Sequence, residues 1–228
     1  MKKLAAIPAY NEAGNIEKTV KDIIENAPSF DYIVINDCSK DDTYEICKKN
    51  KFHTINLPVN MGIGGGVQTG YLYAWRNGYD IAVQFDGDGQ HNALYLEKMA
   101  EVMEKEELDM VIGSRYINKE GFQSSGIRRA GIHFFTAIIK LLTGKTITDP
   151  TSGMRMVNRD IIKLFAEEYP KDYPEPESAV ILFKKRKKKI REIPVCMRER
   201  KEGVSSISPF NAVYYMIKVS VAILIAAL

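Results

Sequence analysis

Short apolar runs alternate with amphipathic stretches through the first half of the chain. The apolar runs have the length of strands, whereas the stretches between them repeat their apolar positions with a helical period. This alternation predicts an α/β domain with a mostly parallel central sheet and helices on both faces. The predicted strands are residues 4–7, 32–36, 54–57, 81–85 and 110–112, and the predicted helices are residues 13–25, 41–49, 66–76 and 93–105.

The second half of the chain is less regular. Its pattern predicts a helix over residues 126–142, a loop over 148–153, a helix over 178–183 and a strand over 190–198. There is no internal repeat and no low-complexity linker, so one α/β domain with an appendage accounts for the 228 residues. We expect that domain to cover residues 1–207.

The appendage is the apolar tail, residues 208–228. From Phe210 onward only Asn211, Lys218 and Ser220 are clearly polar. As one helix these residues would extend about 28 Å, close to the thickness of a bilayer's hydrocarbon core. A helix that is apolar all round has to be covered. We therefore expect a helix that lies in or partly enters a membrane surface, or packs on a second copy or a small membrane protein. Lys218 disfavours a complete span.

Charge is nearly balanced overall, with 32 Lys and Arg against 29 Asp and Glu, but one run is strongly basic. Residues 184–191 hold seven cations in eight positions. These cations fit either a solvated helix end or attraction to an anionic membrane leaflet. A nucleic-acid partner is disfavoured, because no basic motif with interleaved aromatic residues accompanies the run.

Compartment is indicated by the cysteines and by the first residues. Cys38, Cys47 and Cys196 have neither CxxC nor zinc spacing, which favours a reducing compartment over a disulfide scaffold. The chain leads directly into a predicted strand and shows no signal peptide. Together with the basic run and the apolar tail, these features predict a location at the cytoplasmic face of the cell membrane, either peripheral or tail-anchored.

The candidate chemistry centres on Asp86, Gly87 and Asp88, which follow the apolar run 81–85. A strand that ends on two carboxylates one residue apart brings both side chains near one point, and the glycine between them has no Cβ to obstruct a ligand. Oxygen ligands of this kind, completed by phosphate oxygens and water, suit Mg²⁺ or Mn²⁺ holding a nucleoside diphosphate.

A second candidate phosphate site is the glycine-rich segment 60–67. Gly62 and Gly64 would allow backbone N–H groups to approach a phosphate at a helix N-terminus. The segment is neither a Walker A loop nor a complete GxGxxG fingerprint, since Val67 occupies the place of the third glycine. A plain strand-to-helix turn is the alternative interpretation.

Several further motifs follow one another along nearly the whole chain. They are IPAYNE (7–12), INDCSKDDT (35–43), NMGIGGG (60–66), FDGDGQH (85–91), GSRY (113–116), DPTSGMR (149–155), YPEPE (173–177) and RKEGVSS (200–206). In this order and as a set, they resemble family-two glycosyltransferases, specifically the dolichyl- and polyprenyl-phosphate sugar synthases and related bacterial polysaccharide enzymes. The resemblance implies a GT-A (Rossmann-like) fold, a nucleotide-sugar donor, a divalent metal (Mn²⁺ or Mg²⁺) and inversion at the anomeric carbon.

The resemblance also implies a donor site. Its residues are Pro8, Tyr10, Glu12 and Asp37 around the nucleoside, Gly62, Gly64 and Asp86 near the phosphates, and Arg200 and Ser205 in a loop that closes over them. The implied metal ligands are Asp86, Asp88 and Gln90, with His91 packing nearby. An aromatic wall with carboxylate acceptors suits a uracil or guanine ring, and we expect UDP. Asn36 stands where many relatives have an aspartate, so one base or ribose contact is expected to differ.

On the acceptor side, Arg115, Arg128 and Arg129 match positions that face the acceptor phosphate in the lipid-phosphate enzymes. Guanidinium groups suit that role because they bind phosphate through two hydrogen bonds. We expect Asp88 and Arg115 to be catalytic. If the acceptor is a sugar hydroxyl, the transfer needs a general base, and the candidates are Glu177 and Asp149.

These residues predict a hexosyl- or N-acetylhexosaminyltransferase that moves a sugar from a nucleotide sugar to polyprenyl phosphate. One alternative is transfer to a hydroxyl of a lipid-linked saccharide in cell-wall or capsular polysaccharide synthesis, which the segment 173–177 favours. A nucleotidyltransferase is disfavoured by the segment 200–206, and a non-catalytic adaptor by the intact carboxylates.

Overall fold

The computed structural model describes residues 1–121, 126–172, 174–199 and 212–228. The strands are β1 (Lys3–Ala9), β2 (Phe30–Asn36), β3 (Thr54–Asn56), β4 (Ile81–Gln84), β5 (Met110–Ser114), β6 (Arg155–Asn158) and β7 (Ile190–Pro194). The helices are α1 (Ile16–Asn26), α2 (Thr43–Lys49), α3 (Gly62–Arg76), α4 (Leu96–Lys105), α5 (Gly126–Thr143), α6 (Arg159–Glu167), α7 (Pro174–Val180) and α8 (Ala212–Ala227). A π-helical turn, Ile181–Lys185, follows α7 directly.

The strands form one seven-stranded sheet with the order β3-β2-β1-β4-β6-β5-β7. The strands from β3 to β4 are parallel, as are β5 and β7, whereas β6 is antiparallel to both of its neighbours. The other strands of the described sheet therefore share one direction, and their carboxyl ends lie along one edge. This confirms the predicted mostly parallel α/β sheet. Ligands bind beyond the carboxyl ends of strands in sheets of this type.

Helices cover both faces of the sheet, which explains why its central strands are continuous apolar runs. Alternate residues of β1 point into two separate cores: Ala5 and Ile7 into one, Leu4 and Ala6 into the other. The first core contains the apolar faces of α1 and α4, and the second contains those of α3 and α6. The sheet edge is thereby supported from both sides.

Two elements, β6 and α6, are absent from the sequence-based prediction. Strand β6 begins with a buried charge, Arg155, which separates Met154 from the apolar residues Met156 and Val157. Asn158 ends the strand and also caps α6, since its Oδ1 accepts a hydrogen bond from the Ile161 N–H at 3.1 Å. A strand of four residues followed at once by a helix leaves too little periodicity to be recognised.

Some boundaries also differ from the prediction. Helix α3 begins at Gly62 instead of residue 66, because Asp37 Oδ1 accepts the Met61 N–H at 2.6 Å and starts the helix early. Helix α7 begins at Pro174 instead of residue 178, since proline is well suited to the first turn of a helix. Strand β7 ends at Pro194 instead of residue 198.

The C-terminal helix α8 packs on α5 and α7. Their shared core includes Phe135, Ile139, Val180, Val219 and Ile223. The outward side of the pair α5 and α8 exposes further large apolar side chains, which are Phe134, Leu141, Ile217, Val221, Leu224 and Ile225. Within the described residues, no helix combines the length and the apolar character that crossing a bilayer requires. The division into residues 1–207 and a membrane-associating tail stays a prediction.

Candidate active site

The carboxylate pair lies at the carboxyl end of β4, in the middle of the sheet. Asp86 and Asp88 are partly exposed, and Gly87 between them is buried. The Gly87 N–H donates to the Pro8 carbonyl at 3.1 Å, and a Cβ on Gly87 would lie 3.0 Å from that oxygen. The glycine therefore permits a close approach between the end of β1 and the segment after β4, and this approach holds both carboxylates at the sheet edge.

Three neighbours hold Asp86 in place. Gln84 Nε2 donates to Asp86 Oδ1 at 2.9 Å. His91 is buried; its Nδ1 accepts the Asp86 N–H at 3.0 Å, which leaves Nε2 3.6 Å from Asp86 Oδ2. A Cβ on Gly153 would lie 2.5 Å from Asp86 Oδ2, so the loop before β6 closes the third side. In this arrangement His91 supports the backbone of Asp86 and lies beside its carboxylate.

Gln84 is a site residue that sequence reasoning missed. Its signal was a polar side chain inside the apolar run 81–85, two residues before Asp86 and so on the same face of the strand. Gln84 is buried, and its Nε2 also lies 3.4 Å from Glu175 Oε1. One amide group therefore bridges the carboxylate of Asp86 and the first turn of α7.

Glu175 and Glu177 both lie in the first turn of α7, but they have different surroundings. Burial raises the pKa of the Glu175 carboxyl; Arg155 opposes this effect and Asp86 adds to it. Glu177 lines a cavity beside α6, where burial and then the charge of Asp172 raise its pKa. Of the two glutamates, Glu175 is thus the one whose carboxyl lies close to Gln84 and Asp86. The role of Glu177 as a general base stays a prediction.

Arg155 organises the loop and the helix behind Asp86. Its guanidinium group is fully buried and donates to the carbonyls of Ser152 and Pro150, each at 2.8 Å, and to the Glu175 carbonyl. It also donates to Ser178 Oγ at 3.0 Å. Since a buried charge must be fully hydrogen-bonded, these contacts fix the loop 150–153 and the start of α7 relative to β6.

The residues present fit a divalent metal bound together with a nucleotide. The Gln90 N–H donates to Asp88 Oδ1 at 3.0 Å, which orients that carboxylate. Among the described residues, no group of three His, Cys, Asp or Glu side chains is placed to hold a metal. Two carboxylates at a partly exposed strand end would leave the other positions to phosphate and water oxygens, as Mg²⁺ and Mn²⁺ sites do.

The predicted nucleoside residues lie at the same sheet edge. Tyr10 is exposed, whereas Glu12 and Asp37 are buried. The Asp37 N–H donates to the Ala9 carbonyl at 2.9 Å, and Glu12 Oε2 accepts from Asn15 Nδ2 at 2.9 Å. These contacts tie the ends of β1 and β2 to each other and to the start of α1. The roles of Pro8, Tyr10, Glu12 and Asp37 in nucleoside binding stay predictions.

The predicted phosphate loop has a structural role at one of its two glycines. Gly62 and Gly64 lie in the first turn of α3, and Gly62 has a φ of +73°. The Gly64 N–H donates to the Lys171 carbonyl at 3.1 Å, and a Cβ on Gly64 would lie 2.1 Å from that oxygen. Gly64 therefore allows α3 to pack against the chain at Lys171. Its amide has a protein partner in this structure, and the expected contacts of Gly62 and Gly64 with phosphate stay predictions.

Arg115 and Asp149 form one buried ion pair. Arg115 Nε lies 2.7 Å from Asp149 Oδ2, and Nη2 lies 2.8 Å from Oδ1. Asp149 is completely buried and Arg115 is 13% exposed. Burial alone would lower the pKa of Arg115, but the hydrogen bonds and charge of Asp149 raise it. Asp149 and Arg115 are thus charged partners of each other, and their expected roles as a general base and as a ligand of the acceptor phosphate stay predictions.

Four other residues are predicted to contact phosphate groups of the acceptor or the donor. Arg129 is exposed in the first turn of α5. The side chain of Arg128 and the residues Arg200 and Ser205 lie outside the described part of the chain. Their expected contacts with the acceptor and the donor phosphates stay predictions.

Comparison with known proteins identifies the family. The model of glycosyl transferase family 2 matches residues 5–165. A protein of Methanococcus voltae, named UDP-N-acetylglucosamine–dolichyl-phosphate N-acetylglucosaminyltransferase, is 33% identical over 211 residues, covering 83% of this chain and 82% of that protein. Polyprenol monophosphomannose synthase of Mycolicibacterium smegmatis is 25% identical over 232 residues, covering 95% and 85%.

A solved structure supports the fold. Glucosyl-3-phosphoglycerate synthase from Mycobacterium tuberculosis, in complex with Mn²⁺, UDP and phosphoglyceric acid, superimposes with a TM-score of 0.73 at 18% identity. The match covers 99% of this chain and 78% of that one. The fold resembles that of GT-A glycosyltransferases, as the sequence motifs predicted. With the family match over residues 5–165, it follows that this chain is a glycosyltransferase and belongs to glycosyl transferase family 2.

Proposed function

We propose that this enzyme transfers a sugar from a nucleotide sugar, most simply a UDP-sugar, to the phosphate of a polyprenyl or dolichyl lipid. The observation that carries the proposal is the 33% identity, across 83% of the chain, to a protein named for transfer to dolichyl phosphate. The polyprenol monophosphomannose synthase relative supports the same class of acceptor.

In the proposed reaction, the bond between the anomeric carbon and the diphosphate oxygen breaks as an acceptor phosphate oxygen forms the new bond from the opposite face. The nucleoside diphosphate leaves with the bonding electron pair. Asp86 and Asp88 would hold Mn²⁺ or Mg²⁺, which when bound neutralises charge on the leaving diphosphate. Gln84 keeps the Asp86 carboxylate oriented through a hydrogen bond of 2.9 Å, and His91 accepts the Asp86 N–H at 3.0 Å.

A phosphate acceptor requires no general base, since its oxygens are already anionic near neutral pH. The pairing of Asp149 with Arg115 supports this choice, since a carboxylate held by a largely buried arginine is a poor base. The acceptor phosphate would instead require cations, and the exposed Arg129 at the start of α5 is the candidate within the described residues.

The exposed apolar side of α5 and α8 is the surface we propose for contact with the membrane that carries such an acceptor. Leu141 is 85% exposed and Ile217 is 62% exposed on this side. The π-helical turn contacts α8. Its last two residues, Lys184 and Lys185, are exposed and are the first residues of the basic run 184–191. Apolar groups flanked by cations suit an anionic bilayer surface.

The test is a transfer assay with detergent-solubilised protein, Mn²⁺, undecaprenyl phosphate and a panel of radiolabelled nucleotide sugars. We expect label from one donor to enter the organic phase. Loss of Asp88 in Asp88→Ala should reduce that label by about two to three orders of magnitude, as for removal of other charge-stabilising groups. Asp160→Ala, which changes an aspartate that is 80% exposed on α6, is the matched control.

Failure of the proposal would also be clear. Donor binding without label in the lipid would reject the phosphate acceptor. A lipid-linked saccharide would then be supplied in its place, and label on that saccharide would assign transfer to a hydroxyl group. Asp88→Ala with near wild-type transfer would reject the metal site.

A further inference from the structure

Arg198, which follows β7, makes a two-pronged contact with helix α1. Its Nη1 lies 3.0 Å from Asp22 Oδ2, and its Nη2 lies 3.0 Å from Asp22 Oδ1. Asp22 is only 9% exposed, whereas Arg198 is 45% exposed. Parallel hydrogen bonds of this kind fix the plane of a guanidinium group, so the main chain at Arg198 is held at a defined distance from α1.

The same residue is hydrogen-bonded to the segment that carries the carboxylate pair. The Arg198 N–H donates to the Gln90 carbonyl at 2.8 Å, and Gln90 Nε2 lies 3.4 Å from the Arg198 carbonyl oxygen. The Gln90 N–H in turn donates to Asp88 Oδ1 at 3.0 Å. A continuous series of contacts therefore runs from Asp22 through Arg198 and Gln90 to Asp88.

Two more contacts fix the far end of that segment. Asp22 Oδ2 accepts the Ala93 N–H at 3.0 Å, and Arg198 Nη2 lies 3.3 Å from Asn92 Oδ1. The Asp22–Arg198 pair thus holds the chain from Gln90 to Ala93 at both ends. Since an ion pair with one half-exposed partner contributes little to stability, its main effect here is on position.

We propose that Arg198, through Asp22, is a positioning residue that sets the place of Gln90 and thereby of the Asp88 carboxylate for metal binding and sugar transfer. The proposal rests on the proposed function in taking Asp86 and Asp88 as metal ligands. Arg198 does not touch the reacting groups. It acts on the supporting contacts of a metal ligand, and loss of such contacts typically costs about ten- to a hundredfold in metal affinity or activity.

The experiment measures Mn²⁺ binding to the purified protein in the presence of UDP by electron paramagnetic resonance, with no turnover involved. We expect Arg198→Met to raise the Mn²⁺ dissociation constant about tenfold or more. Arg198→Lys should raise it less, because lysine keeps the positive charge but cannot make the two parallel hydrogen bonds of a guanidinium group. Asp22→Asn should act like Arg198→Met, and the double variant should add little, because both changes break one pair.

Arg191→Met and Arg191→Lys are the matched controls. Arg191 lies on β7, is 51% exposed in its side chain and is paired with Glu106 at the surface. These changes should leave Mn²⁺ binding unaltered. The unfolding temperature and the separate kcat and KM for the donor are measured on every variant, so that a loss of stability is distinguished from a change in the site.

The outcomes separate the two proposals. A wild-type protein that binds no Mn²⁺ in the presence of UDP would overturn both the metal site and the role of Arg198. Wild-type binding with unchanged Mn²⁺ affinity in Arg198→Met would overturn only the positioning role, and a lowered unfolding temperature with unchanged affinity would make Arg198 structural.

Discussion

The ends of β4 and β5, which β6 separates in the sheet, lie beside aspartates with opposite surroundings. After β4, Asp86 and Asp88 are partly exposed and are oriented by neutral donors such as Gln84. After β5, Arg115 holds both oxygens of Asp149, which is completely buried. The same type of side chain is thus a candidate metal ligand where it is partly exposed and oriented by neutral donors, and a structural residue where a largely buried arginine holds both of its oxygens.

The largest expected effect tests the structural role of the buried Arg115–Asp149 pair. Asp149→Asn leaves Arg115 buried without its counter-charge, and we expect the free energy of unfolding to fall by about 3–5 kcal/mol. Chemical denaturation of the variant and the wild type measures this difference.

The double variant Arg115→Met/Asp149→Leu is the control for the pair. It removes both charges and should recover much of the lost stability, because apolar replacements of a buried pair are often nearly neutral. If Asp149→Asn unfolds like the wild type but loses all transfer activity, Asp149 belongs to the chemistry and the contrast between the two strand ends fails.

Much of this contrast could be predicted from sequence, and the part that could not has a physical reason. The mostly parallel α/β sheet and the location of Asp86 at a strand end follow from alternating patterns, whose signal is local. The partner of Asp149 is not local: Arg115 lies 34 positions away and meets it only because β6 runs antiparallel to β5. Spacing along the chain carries no information about that meeting.

Sequence spacing also fails to show which glutamate of the motif 173–177, Glu175 or Glu177, lies beside Asp86. Both stand in one motif, and their positions two residues apart in a helix point them to different sides. Helix α7 begins at Pro174, not after the motif as predicted, so only the folded chain shows that Glu175 meets Gln84. Gly64 is a further case, since the carbonyl it accommodates belongs to Lys171.

A smaller expected effect tests how the loop before β6 supports Asp86 at the end of β4. Gly153→Ala would place a Cβ 2.5 Å from Asp86 Oδ2 and 2.9 Å from Gln84 Nε2, and so displace the carboxylate. We expect transfer activity to fall about ten- to a hundredfold, with the half-saturating Mn²⁺ concentration raised. Steady-state kinetics with varied Mn²⁺ measures both.

Gly131→Ala is the control for this glycine substitution. Gly131 lies in α5, and the nearest atom to its Cβ would be Met216 Sδ at 4.0 Å, so the added methyl group has room. Activity should be unchanged. Wild-type Mn²⁺ dependence in Gly153→Ala would mean that Asp86 needs no support from the loop before β6.

The smallest expected effect concerns the pH dependence of stability at Glu175. Burial raises its pKa above the ordinary value of 4.5, with Arg155 opposing and Asp86 adding to the effect. The folded state therefore binds this proton more tightly than the unfolded state does. The wild type loses the corresponding stability as pH rises from about 4.5 through the raised pKa, at about 1.4 kcal/mol for each unit of the shift.

Glu175→Gln cannot ionise, so it should gain stability relative to the wild type between pH 4 and pH 8. Urea denaturation at a series of pH values measures the difference, and Glu167→Gln, which changes an exposed carboxylate on α6, should show almost none. A flat difference for Glu175→Gln would mean that its carboxyl is as well solvated as that of Glu167. The Asp86 edge would then be more open to water than the contact with Gln84 implies, and the contrast with the buried Asp149 would widen.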